Sequence, residues 1–111
     1  MTDIEGTAWK NSGPFPPGNS GYGIKINNID DRRRYFPRGT VTLIMGDIRC
    51  TANTDKDSFW DPRCGELIRS PIGQWMRSQN LIPWPDNDPH KFALRQVSPG
   101  VFEVRLLRRS R

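Results

Sequence analysis

The sequence predicts a mainly β domain with one or two short helices, folded as a small barrel or curled antiparallel sheet that a helix closes on one side. Three observations predict it. Short runs in which apolar and polar residues alternate recur along the chain. Ten prolines and ten glycines in 111 residues punctuate those runs with turns. One helix signal, Ser70-Pro71 followed by Ile72, Trp75 and Met76 at helical spacing, stands among them.

Residues 1–20 read as a loose, flexible arm, because Gly13-Pro14-Phe15-Pro16-Pro17-Gly18 can hold neither a helix nor a central strand. Trp9 and Phe15 are the side chains able to pin it to a body spanning 21–107. Tyr22, Ile24 and Ile26 alternate with Gly23 and Lys25 as a half-buried first strand. Val41 to Met45 is a second strand, apolar on both faces. Gly46-Asp47 is a hairpin turn, and Ile48, Cys50 and Ala52 share one face of a third strand. Gly65 to Ile68 is a short strand leading to the Ser70 helix, which stops near Asn80 because Pro83 and Pro85 cannot continue it. A proline-rich connection over 82–90 follows. Phe92 and Leu94 open another strand, Ser98-Pro99-Gly100 turns, and Phe102, Val104 and Leu106 alternate along the last. The pattern counts five or six strands and one clear helix, ending in a basic tail over 108–111.

The composition removes several function classes. No stretch approaches the roughly 18 apolar residues of a membrane span. Met1 to Lys10 lacks the apolar run of a signal peptide, so the expected compartment is the cytoplasm. Cys50 and Cys64 are too few for a disulfide scaffold and read as reduced thiols. The lone His90 with two distant cysteines gives no zinc spacing, and no metal or other cofactor is expected. Asp86 and Asp88 read as punctuation rather than as a cation site. No phosphate-cradling glycine loop, nucleophile elbow or second carboxylate cluster occurs, so the chain reads as a binder and not as an enzyme.

What remains is charge. The net charge is +5, and thirteen arginines stand against four lysines. The planar guanidinium fork suits phosphates and guanine edges. Two polar arms separate the strands. The first, 27–39, carries Arg32, Arg33, Arg34 and Arg38 with Tyr35 and Phe36 interleaved. The second, 53–64, carries Lys56, Ser58, Trp60 and Arg63. These eight residues other than the two aromatics of the first arm are the candidate nucleic-acid contacts. A blander reading stands beside it: Arg32 to Arg34 can be a solvated turn neutralised by Asp30 and Asp31, and Tyr35, Phe36, Phe59 and Trp60 can be core.

The order of features from Tyr22 onward resembles the B-three DNA-binding pseudobarrel of plant transcription factors and of restriction-endonuclease effector domains. The segment that carries the resemblance is Ile72-Gly73-Gln74-Trp75-Met76, then Leu81, then Phe92. It is similar to the family's G-W-x-x-F helix with its following leucine and phenylalanine. Ile72 takes the tryptophan place and Trp75 the phenylalanine place. The loop from Leu81 to Phe92 is about three residues longer than the family pattern, and only Asp30 to Tyr35 leaves room for the family's first helix. The resemblance implies a small seven-stranded open pseudobarrel of antiparallel strands. It implies sequence-specific binding of double-stranded DNA, with the two arms gripping the major groove, and a protein partner or fused catalytic domain as a possible companion. Two alternatives keep their place: a protein-interaction module using the Pro/Trp-rich loop 81–90, and a single-strand binder stacking bases on Tyr22, Tyr35 or Trp60.

Overall fold

In a computed structural model, which describes residues 3–85 and 87–109, the chain forms one mixed sheet of seven strands that nearly closes into a barrel, with three short helices. The strands are β1 (Ile4–Lys10), β2 (Tyr22–Ile26), β3 (Thr40–Met45), β4 (Ile48–Asn53), β5 (Glu66–Ile68), β6 (Lys91–Ser98) and β7 (Val101–Arg108). The helices are α1 (Ile29–Tyr35), α2 (Asp57–Trp60) and α3 (Ser70–Ser78). The sheet order is β4-β3-β7-β6-β1-β2-β5. All neighbours are antiparallel except β3 and β7, which run parallel, so the expectation of a purely antiparallel barrel is corrected at that one pair. The edge strands β4 and β5 approach each other without pairing, and α3 packs against β2 and β4 beside that seam.

The inward positions are those that the alternation predicts. Ile24 and Ile26, Val41 and Leu43, Cys50 and Ala52, Leu94 and Phe92, Phe102 and Val104 all lie in one buried cluster with Ile72, Trp75 and Met76 of α3. The helix N-cap falls on Arg69, one residue before the expected Ser70.

The loose arm expected over 1–20 is corrected. Its first half is β1, an interior strand paired to β2 through Ala8↔Ile24 and to β6 through Ile4↔Leu94. The strand escapes the periodicity signal because Gly6 sits between Ile4 and Ala8 on its inward face. A Cβ there would lie 2.6 Å from Ile24 Cγ2, so close strand packing requires the one residue that carries no hydrophobic signal. The second half is tied down as well: the Tyr22 hydroxyl donates to Pro16 O (2.6 Å), and Phe15 meets Trp84 edge to face at 4.9 Å. The basic tail is also shorter than expected, since Arg108 lies in β7 and pairs with Asp88 at 2.9 Å. Ser110 and Arg111 lie outside the described residues.

Candidate nucleic-acid interface

Strand register places both arms at one end of the barrel. The first leaves β2 at Ile26 and enters β3 at Thr40, and the second leaves β4 at Asn53 and enters β5 at Glu66. Lys25 faces Glu66 across β2–β5, and Thr40 faces Asn53 across β3–β4. The two arms therefore bridge the same two strand pairs, side by side. The β6–β7 turn comes to the same end because β7 runs parallel to β3, with Thr42 N donating to Gly100 O at 2.8 Å.

Arg32 holds the arms together and is not available as a DNA contact. It is 0% exposed. Its Nε donates to Ile26 O (2.9 Å), Nη1 to Phe59 O (2.9 Å) and Asp61 O (2.8 Å), and Nη2 to Cys64 O (3.0 Å). The rigid donor fork is spent on four carbonyls, three of them in the second arm. Burial lowers the pKa of this guanidinium, and the charge of nearby Glu66 opposes the shift. Gly65 completes the fit: its φ of +103° favours glycine, and a Cβ there would collide with the guanidinium. The sequence places Arg32 in a basic run. Helical geometry separates it from the run by turning it inward while Arg33 and Arg34 face out.

The helix responsible, α1, occupies the only room the resemblance left for one. Asn28 caps it, its side-chain oxygen accepting from Asp30 N (2.8 Å) and Asp31 N (3.1 Å). Acids fill the first turn and arginines the last, as the helix dipole favours. That cap-plus-charge pattern was the signal that sequence periodicity missed.

The other candidates fall into three groups. Arg33 and Arg34 are exposed and have no hydrogen-bond or ion-pair partner among the described residues. Arg38 crosses to the second arm, pairing with Asp57 at 2.7 Å and Asp55 at 3.1 Å, and these bonds raise its pKa. Arg63 pairs with Asp61 at 3.3 Å, and its side chain holds the Asp61 carboxyl below the ordinary aspartate value. Lys56 and exposed Ser58 stand at the start of α2. Trp60 is a pin: its indole Nε1 donates to Thr54 O (2.9 Å) and its ring meets Phe59 edge to face at 4.9 Å. Its ring keeps partial exposure, whereas the Arg32 guanidinium is fully enclosed. Buried Thr54 laces the arm roots, donating to Pro37 O (2.6 Å) and accepting from Gly39 N (2.9 Å). With Arg32 inside, five cations of the arms share this end with five aspartates, at 30, 31, 55, 57 and 61. Local charge is balanced, and it is arrangement rather than excess that distinguishes the surface.

The opposite end is closed by aromatics. Trp84 is 7% exposed and lies against Phe15, Tyr22 and His90, at 4.9, 6.1 and 5.8 Å between ring centres. It is a lid, so loop 81–90 turns its largest side chain inward. His90 is buried, with Nε2 2.8 Å from Leu81 O. Tyr22 is 0% exposed and cannot stack a base. Asp86, half of the weighed cation site, lies outside the described residues. No group of three or more metal-capable side chains occurs among the described residues. Both cysteines are free thiols, and burial raises the pKa of Cys50. No described helix is long and apolar enough to cross a membrane. Comparison with protein families, with curated proteins and with solved structures found no match.

Proposed function

We propose that this chain is a double-stranded DNA-binding module of the B-three type, whose two arms read the major groove. The observation that carries the reading is the common origin of the arms: both bridge the same strand pairs at one barrel end, and the partner-free guanidinium groups of Arg33 and Arg34 stand there. The element order supports it too: strand, basic arm, two strands, second arm, short strand, helix and closing strands, with α1 where the resemblance leaves room for a helix. The contacts are Arg33, Arg34, Arg38, Lys56, Ser58 and Arg63. Arg32 and Trp60 position them. The ion pairs of Arg38 and Arg63 are solvent-exposed, and such pairs are weak enough for a phosphate to displace the carboxylate. A charge-balanced surface of this kind favours specific docking over indiscriminate attraction, because each cation must exchange a defined partner.

Fluorescence anisotropy with a library of duplexes, repeated over a range of salt, tests the reading. Full use of the five arm cations gives a log–log salt slope of about −4.5, at about −0.9 per neutralised phosphate. Absence of salt-sensitive duplex binding across the library rejects it.

A further inference from the structure

Beside the arms lies a groove of about 590 Å³, within the size range of sites that enclose small ligands. Arg34, Tyr35 and Pro37 of the first arm form one bank, and Pro99 and Gly100 of the β6–β7 turn form the other. Thr42 and Gln96 lie between them. Its polar equipment is uncommitted: the side chains of Arg34, Tyr35, Thr42 and Gln96 make no hydrogen bond among the described residues. Tyr35 is half-buried with its ring packed against the core, which fixes its orientation. Of the three aromatic residues considered as stacking platforms, it lines this groove, whereas Tyr22 is buried and the Trp60 indole is hydrogen-bonded to Thr54 O.

We infer that this groove receives an unstacked nucleotide of the bound nucleic acid. The chemistry of its walls matches the parts of such a ligand. A tyrosine ring and two prolines offer flat apolar surface for a base. The Gln96 amide carries both donor and acceptor groups, and the Thr42 hydroxyl can serve as either, which suits a base edge. Arg34, at the rim and next to Arg33, reaches the 5′-phosphate. The inference rests on the DNA-binding reading for its setting, since the groove shares the barrel end with the arms. It adds a site that the arms alone do not supply, since its second bank is the β6–β7 turn.

Extruding a base from a duplex costs a few kcal/mol, and least when the base is mispaired. The experiment compares a fully paired 20-base-pair duplex with the same duplex carrying one central T·T mismatch, for the wild-type chain and for Gln96→Ala and Tyr35→Leu. Circular dichroism verifies that each variant is folded. Expected is an affinity about tenfold or more higher for the mismatched duplex, lost in both variants while the paired duplex binds them as it binds the wild type. Equal affinity for the two duplexes, or a preference that survives in both folded variants, overturns the inference and leaves the duplex-binding reading intact. If neither duplex binds, that reading fails, and titration with deoxynucleoside 5′-monophosphates decides the groove alone. Binding that Gln96→Ala abolishes then upholds the groove assignment, and no binding overturns it.

Discussion

The two ends of the barrel are closed by different physics. At one, Phe15, Trp84, Tyr22 and His90 pack ring against ring, and the chain's proline-rich segments are folded down over the core. At the other, one buried guanidinium and one buried threonine hydroxyl draw two polar arms together by hydrogen bonds to backbone. Aromatic packing stabilises through buried area and turns its rings inward. Hydrogen bonding to carbonyls fixes loop geometry while leaving neighbouring side chains free. The difference is the reason the proposed polar ligand site is placed at the arm end, although tryptophan and proline make the lid loop the more conspicuous stretch of sequence.

The sharpest way to break this contrast is to remove the central group at each end. Trp84→Ala should cost about 3–5 kcal/mol in chemical denaturation, the usual range for truncating a large buried aromatic, and should leave duplex affinity of the folded fraction unchanged. Arg32→Ala should cost about 3 kcal/mol, because four carbonyls lose a charged donor together. Unlike the lid variant, it should also weaken duplex binding, since the arms lose their common anchor. Arg32→Lys should restore little of either, as a single ammonium cannot reproduce the fork. A loss of binding in Trp84→Ala equal to that in Arg32→Ala would erase the functional distinction between the ends.

Smaller changes sharpen it. The double variant Arg33→Ala, Arg34→Ala should leave stability within about 0.5 kcal/mol of wild type and make the salt slope shallower by about 2. Asp57→Asn should tighten duplex binding a few-fold at low salt, because it weakens one of the two carboxylate holds on Arg38, leaving that of Asp55, and removes a like charge from the path of phosphate. The smallest effect concerns protons. Hydrogen bonds from Arg63 depress the folded pKa of Asp61, so the pair's stabilising contribution is complete above the unfolded pKa and is lost only as pH falls through the lower folded value. Carboxyl NMR titration should find Asp61 below the ordinary aspartate value in the wild type and moved upward in Arg63→Ala.

Particular elements show what can be read before folding. Strands β2, β3, β4, β6 and β7 and helix α3 follow from alternation, turn chemistry and the Ser70-Pro71 start, because each buries a face whose period is written in apolar residues. Strand β1 is hidden by Gly6, chosen for what it lacks. Helix α1 carries its cap at Asn28 and its dipole-matched charges in plain view, but its one wholly buried side chain is an arginine, which no hydrophobic pattern records.

Sequence alone determined a small, mainly β body, its basic excess, and the two polar connections between strands. Tertiary structure decided that the connections meet at one end, that Trp84 faces in, and which arginine of three consecutive ones is interior. Those outcomes depend on strand register and on carbonyls more than twenty residues away in sequence from Arg32, and a hydrogen bond to backbone leaves no mark on the identity of the residue that accepts it.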